Sequence, residues 1–222
     1  MPDNIYDYLN KLRPSAPAWA YILEEEAVRD GIPIMEREGI DFIKQVIRLK
    51  QPKRALEIGS AIGYSALQMA DASPDLSIIT IERDQKRYQR AQVHLQDLDK
   101  NNQIELIFGD ALDAIDIISQ KGPYDLIFID AAKGQYQRFF ELYQPLLNSG
   151  GVIITDNVLF KGYVADSTGA SKRLQALVKK IQRYNQWLSK HQLFDTIFLP
   201  IGDGIAVSTK KEKGVSFNET ER

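Results

Sequence analysis

Cysteine is absent from the 222 residues. That excludes disulfide bridges and any thiolate-held metal. No apolar run approaches the roughly 20 residues that span a bilayer. The first twenty residues carry Asp3, Asp7, Lys11 and Arg13 among short apolar pairs, so the apolar core of a signal peptide is missing as well. A cytoplasmic location without a membrane partner is the expectation. A large excess of either charge is also lacking: 28 Lys and Arg face 30 Asp and Glu, a net charge of -2 that advertises no polyanionic partner. There is no internal repeat and no composition break marking a second domain. The expected organisation is one domain over 1–210, with a helical extension over about residues 1–50, and a polar, disordered tail over 211–222.

What is present is a change of period. Ile5, Tyr8, Leu9 and Leu12 recur at helical spacing before Pro14, and further helices are expected over 16–29, ended by Gly31 and Pro33, and over 35–49. Short apolar runs then alternate with amphipathic stretches. The runs are 55–58, 77–81, 104–108, 124–129 and 152–155; the helix-like stretches between them are 64–72, 84–99, 110–119 and 133–147. Such alternation predicts a parallel sheet covered on both faces. After a helix near 171–190, the runs 194–201 and 205–209 are separated by Gly202-Asp203-Gly204 and predict a hairpin, one strand of which must be antiparallel to the sheet. The fold class expected is α/β: a Rossmann-like, class I methyltransferase layout with a mostly parallel seven-stranded sheet and a C-terminal antiparallel hairpin.

The expected strand ends carry polar residues at regular places. The first ends in Leu56-Glu57-Ile58-Gly59-Ser60-Ala61-Ile62-Gly63-Tyr64-Ser65, where Gly59 and Gly63 permit a sharp turn and close approach to a ligand. A dinucleotide site calls for G-x-G-x-x-G, and Ala61 replaces the middle glycine that admits the pyrophosphate. A phosphate-free cofactor, S-adenosylmethionine, does not need that glycine. Glu82 ends the second strand, about twenty residues on, where an acid can accept both ribose hydroxyls. Asp110 in Gly109-Asp110-Ala111 can accept an adenine amino group, or can equally cap the helix that follows.

The fourth strand ends in Asp130-Ala131-Ala132-Lys133 and the fifth in Asp156-Asn157. Adjacent strand ends would bring Asp130, Asp156 and Asn157 together as three oxygen donors, which suits Mg²⁺ or Mn²⁺. The alternative is that Asp130 caps a helix and Asp156-Asn157 begins a turn. Methyl displacement from a sulfonium needs an oxyanion, and a divalent cation lowers the pKa of a bound hydroxyl. Lys133, expected one helical turn past Asp130, is a candidate general base, or a surface lysine with no such role. Between Lys161 and Lys190 seven basic residues (Lys161, Lys172, Arg173, Lys179, Lys180, Arg183, Lys190) face one acid, Asp166. This is either a solvated helix face or a phosphate-facing surface.

Taken in order, Leu56-Glu57-Ile58-Gly59 with Gly63-Tyr64-Ser65, Phe128 to Lys133 with Tyr136, Asp156-Asn157-Val158-Leu159, and Leu199 to Gly204 resemble the metal-dependent catechol and caffeoyl-CoA O-methyltransferases over roughly residues 30–210. Within that family Ile32 to Glu36, Ala132 to Gln137 and Ile153 to Gly162 are similar to the bacterial tRNA 5-hydroxyuridine methyltransferases, which act on the anticodon wobble base. The resemblance implies cofactor contacts at Met35, Glu57, Gly59, Ser65, Glu82, Asp110, Ala111 and Asp130. It implies metal ligands at Asp130, Asp156 and Asn157, catalysis by Asp130 and Lys133, a tRNA substrate and a homodimer. The glutamate with which the animal catechol enzymes grip the second hydroxyl has no clear counterpart after Asn157. A wobble base lies in a single-stranded loop and can be stacked on aromatics such as Phe160 or Tyr163, which could equally be core or lid residues.

Overall fold

Helix α1 (Asp3–Leu12) stops before Pro14, and α2 (Ala18–Asp30) ends at Gly31. Gly31 adopts φ 63 and lets Ile32 N–H reach back to the Ala27 carbonyl, a left-handed helix stop that only glycine enters freely. These elements come from a computed structural model that describes residues 3–98 and 100–212. They form one unit, up to Pro33, and the chain from Ile34 forms a second. The third helix, α3 (Arg37–Lys50), belongs with the second unit rather than with the N-terminal helices.

The second unit alternates strand and helix: β1 (Arg54–Ile58), α4 (Tyr64–Ala72), β2 (Ser77–Glu82), α5 (Gln85–Asp97), β3 (Ile104–Phe108), α6 (Ile115–Ser119), β4 (Tyr124–Ile129), α7 (Tyr136–Tyr143), β5 (Leu147–Thr155), α8 (Lys172–Leu188), β6 (Phe194–Leu199) and β7 (Ile205–Lys210). The sheet runs β3-β2-β1-β4-β5-β7-β6, with β7 antiparallel to both of its neighbours. This is the seven-stranded layout expected from the apolar pattern. Leu56, Ile58, Ile127, Ile129 and Ile153 are fully buried, because helices cover both faces of a parallel sheet. Between α7, α8 and β6 the core is aromatic. Phe140 meets Phe194 at 4.9 Å and Trp187 at 5.2 Å between ring centroids, both edge-on, the arrangement ring quadrupoles favour.

Two expected helices are shorter than their patterns. The stretch 110–119 is helical only from Ile115, because the Asp110 side chain takes Leu112 N–H and the Asp110 carbonyl takes those of Asp113 and Ala114. The resulting tight turn competes with helix. The stretch 133–147 breaks into a 3₁₀ turn (Lys133–Gln135), α7 and a second 3₁₀ turn (Gln144–Leu146) at Pro145, which lacks the N–H a helix would need. Strand β5 then starts at Leu147, earlier than the apolar run suggests, since Gly150 and Gly151 hide it. At the C-terminal end, Lys211 N–H still donates to the Leu193 carbonyl; the remainder of the expected tail, from Lys213, lies outside the described residues.

Candidate active site at the carboxyl edge of the sheet

The strand registers are level at one edge: Ile58 pairs with Ile81 and Ile129, and Ile129 with Thr155. The residues just beyond therefore stand side by side. Gly59 N–H donates to the Ile81 carbonyl, Asp130 N–H to Ile58 and Asp156 N–H to Ile129, at 3.0 to 3.1 Å. Strands β1 and β4 are neighbours although β2 and β3 intervene in sequence, so this edge is the point where the sheet reverses its winding and where a ligand crevice opens.

On the β1 side, a Cβ at Gly59 would lie 2.1 Å from the Asp130 carbonyl oxygen, so glycine alone lets the turn lie on the β4 end. Ala61, in place of the middle glycine, holds φ 45, a left-handed conformation, and its N–H donates to Glu82 Oε2 at 2.8 Å. Glu82 Oε1 accepts Asp84 N–H at 2.7 Å. Helix α5 is capped by Asp84, whose Oδ1 accepts the Lys86 and Arg87 N–H groups. Glu82 is thereby released from capping and faces the glycine turn. Asp110 does not cap α6, whose N-cap is Ala114 without a side-chain bond; its Oδ1 takes Leu112 N–H within the turn before the helix, and Oδ2 faces Arg83 Nη1 at 3.3 Å. Ala111 is buried in that same turn, its carbonyl accepting the Tyr143 hydroxyl. Met35 is buried too, folded over Gly39 in α3 and outside the ladder of strand ends. Glu57 is fully buried; Thr80 Oγ1 donates to its Oε2, Ser65 from the first turn of α4 faces it, and Oε1 has no hydrogen-bond partner. Burial pushes its pKa up to about 7 against the opposing hydrogen bonds of Ser65 and Thr80.

On the β4 and β5 side, the 3₁₀ turn after Asp130 is entered through Ala132 with no side-chain cap, so Asp130 is not a helix cap. Its carboxyl is pushed above the usual range by burial, with Lys133 drawing it back. That of Asp156 is raised by burial and then by the charge of Asp130. Lys133 is partly buried rather than a free surface residue, although no helical turn links it to Asp130. Its Nζ donates to Asn157 Oδ1 and lies 5.6 Å from the centre of the Phe160 ring. Phe160 and Tyr163 are partly exposed, their rings 6.0 Å apart, and belong to the rim rather than the core. Among the described residues no three His, Cys, Asp or Glu side chains cluster at metal-ligating separation; the third oxygen donor beside Asp130 and Asp156 is the amide of Asn157.

Residues that pattern reading passes over also reach this edge. Asp203, read only as part of a hairpin turn, raises the pKa of Asp156. Glu36 is raised by burial and then by Asp203. Tyr136 Oη is buried without a hydrogen-bond partner and within electrostatic reach of Asp130 and Asp156. The signal that could have found Asp203 is the level register, which carries the β6–β7 turn to the same edge as Asp156.

Comparison with known proteins agrees with this geometry. The family model described as O-methyltransferase matches residues 20–211. The catechol O-methyltransferase of Niastella koreensis is 31% identical over 84% of this chain and 86% of its own length. Caffeoyl-CoA O-methyltransferase 1 of Arabidopsis thaliana is 28% identical over 92% and 83%. A Staphylococcus aureus protein of known structure, provisionally named a caffeoyl-CoA O-methyltransferase, superposes with a TM-score of 0.85 at 42% identity over 93% of this chain and 97% of its own. The fold is that of class I methyltransferases. The chain belongs to the O-methyltransferase family, whose members take their methyl group from S-adenosylmethionine.

The buried Glu57 carboxyl yields a prediction independent of any ligand. Its pKa stands near 7 folded against an ordinary 4.5, so its contribution to stability is intact below pH 4.5 and is lost as pH rises through 7. Glu57→Gln cannot ionise. Urea unfolding at pH 5 and pH 8 should show a smaller stability loss across that window in the variant, and parallel losses would refute the assignment.

Proposed function

We propose that the enzyme is a metal-dependent tRNA methyltransferase, transferring the methyl of S-adenosylmethionine to the hydroxyl of 5-hydroxyuridine at the wobble position and giving 5-methoxyuridine. The methyl-transfer half rests on the aligned strand ends. Glu82 would accept the ribose hydroxyls, the Gly59–Gly63 turn would admit the cofactor, Asp110 would take the adenine amino group, and Asp130 would contact the cofactor from the end of β4. The donor chemistry fits a divalent cation: two buried carboxyls, of which Asp130 raises the pKa of Asp156, and one amide oxygen, with a single lysine beside them, leave negative charge uncompensated. Asp130, Asp156 and Asn157 would hold it, and when bound it would lower the pKa of the substrate hydroxyl. Lys133, held by Asn157 and Phe160, stands where it can receive the proton that the hydroxyl gives up. The hydroxyl and neighbouring C4 carbonyl of 5-hydroxyuridine offer the paired oxygens that a catechol does.

One observation supports RNA. Lys172, Arg173, Lys179, Lys180 and Arg183 of α8 are exposed and form no ion pair with a described residue. Lys180 Nζ comes within 3.5 Å of where a Cβ on Gly134 would stand, next to Lys133. The basic face thus reaches the lip of the site, beside Phe160 and Tyr163, on which an unstacked base can lie. The curated relatives act on catechols or caffeoyl-CoA by their names, which makes a small phenol the competing substrate.

Three outcomes follow. Glu82→Ala removes an acceptor and releases the Ala61 N–H. Calorimetry should show S-adenosylmethionine bound at least roughly tenfold more weakly, a change of about 1.4 kcal/mol; unchanged affinity would end the ribose assignment. Turnover of hydroxyuridine-containing tRNA should vanish in EDTA and return with Mg²⁺ or Mn²⁺, while Asp156→Ala stays folded and resists rescue. Full turnover in chelator would remove the metal from the reading. Finally, Lys180→Glu with Arg183→Glu should raise the Michaelis constant for tRNA. The slope of log affinity against log salt should shrink by about 0.7 per lost contact. Catechol turnover untouched by both charges, with tRNA not methylated at all, would favour the small-phenol substrate.

A further inference from the structure

We infer that the β6–β7 turn, Ile201 to Gly204, is a positioning element for the reaction centre, with Gly204 as its essential residue. The inference rests on the reading of Asn157 and Lys133 as part of that centre. The segment after β5 is held in an unusual shape: Asn157, Phe160 and Lys161 adopt φ 57, 45 and 55, left-handed conformations that a side chain disfavours. Its own turn bonds, from Gly162 to Leu159 and from Tyr163 to Phe160, use carbonyls and leave the N–H groups of 158–160 to be held from elsewhere. Val158 N–H donates to the Gly204 carbonyl at 3.0 Å, and Leu159 and Phe160 N–H both donate to the Asp203 carbonyl, at 3.0 and 2.9 Å. The two residues so aimed, Asn157 and Phe160, are the ones that hold Lys133. A turn far along the chain therefore fixes the lysine through its backbone carbonyls, with Asn185 Nδ2 of α8 adding a bond to the Val158 carbonyl at 2.7 Å.

The two glycines of the turn have separable duties. Both take positive φ, 53 at Gly202 and 90 at Gly204. A Cβ at Gly202 would meet the Glu36 carboxyl oxygen at 3.0 Å, the far end of a flexible side chain that can swing away. A Cβ at Gly204 would lie 2.3 Å from Leu159 Cγ, 2.5 Å from its Cβ and 2.7 Å from its backbone nitrogen. No rotamer of Leu159 relieves the last two. Glycine at 204 is thus required by the loop that carries Asn157, over and above any need of the hairpin, and Gly202 measures what hairpin strain alone does.

The test compares Gly204→Ala with Gly202→Ala, reading hydrogen exchange in the metal-free protein, ligand affinities and turnover. In Gly204→Ala the amides of Val158, Leu159 and Phe160 should exchange at least roughly tenfold faster while those of β1 and β4 keep wild-type protection. Mn²⁺ affinity and kcat should each fall about tenfold or more, with S-adenosylmethionine affinity within about twofold of wild type. Gly202→Ala should change each of these by less than about threefold. Should Gly204→Ala fail to fold, Leu159→Ala, which empties the space over Gly204, should speed the same amides and lower kcat with cofactor affinity retained. Three results would overturn the inference: equal losses in the two glycine variants, wild-type exchange and kcat in Gly204→Ala or Leu159→Ala, or wild-type amides at 158–160 that exchange as freely as exposed Gly169. A wild-type protein that binds no Mn²⁺ would count against the metal alone, since exchange and kcat still judge the clamp.

Discussion

Each of the hydrogen bonds from Gly59 to Ile81, Asp130 to Ile58 and Asp156 to Ile129 extends a parallel ladder one residue past its strand. They fix Gly59, Asp130 and Asp156 to the spacing of neighbouring strands, about 4.8 Å. Flexible loops could not keep two carboxyl groups so close, because repulsion would separate them. The sheet can, since moving Asp156 away from Asp130 means breaking β4 from β5, whose buried faces hold Ile127, Ile129, Ile153 and Ile154. A register slip of one residue would turn every side chain to the opposite face. Site geometry and hydrophobic core are thus one constraint.

Glu82, the last residue of β2, and Asp110, two residues past β3, both stand at the carboxyl ends of neighbouring strands, yet serve differently. The difference lies in the next residues. After β2 the chain supplies Asp84, which caps α5, and a good cap is worth about 1 kcal/mol. Glu82 is thereby left to bind the Ala61 N–H and keep the glycine turn in shape. After β3 no second acid follows at that spacing, and Asp110 caps its own turn with one oxygen, leaving the other to the half-exposed side facing Arg83. An acid after a strand is ambiguous by itself; a spare acid two residues later resolves it.

The strands, their order of appearance and the residues at their ends were legible because short continuous apolar runs and glycine turns are local signals. The catechol and caffeoyl-CoA likeness was legible for the same reason, as motifs at strand ends. Three things were not. Helices over 110–119 and 133–147 were over-read, because a side chain that hydrogen-bonds its own backbone, or one proline, outweighs the apolar period. Lys133 was expected one helical turn past Asp130 but is held from the loop after β5, by Asn157 and Phe160, a tertiary contact with no sequence spacing. Asp203 and Glu36 were invisible as site residues because their proximity is a product of the closed sheet.

Where local rules fail among the described residues, most of the failures gather at this edge, Gln51 at the end of α3 with φ 50 being the exception. Ala61, Asn157, Phe160 and Lys161 take left-handed backbone conformations, each unfavourable by about 1–2 kcal/mol for a residue with a Cβ. Glu57, Asp130 and Asp156 are ionisable groups pressed into low-dielectric surroundings, with Lys133 the basic group that draws the latter two back. Strain and charge of this size would be selected away from a surface loop that only had to connect strands, since glycine or a neutral side chain would serve there at less cost. Their concentration on the residues that the ladder holds together marks the edge as built for a ligand with compensating positive charge. A sulfonium methyl donor supplies one such charge, and a divalent cation at Asp130, Asp156 and Asn157 would supply the rest. On the proposed reading of a polyanionic substrate, the exposed lysines of α8 would offset the repulsion it meets on approach to the acids of this edge.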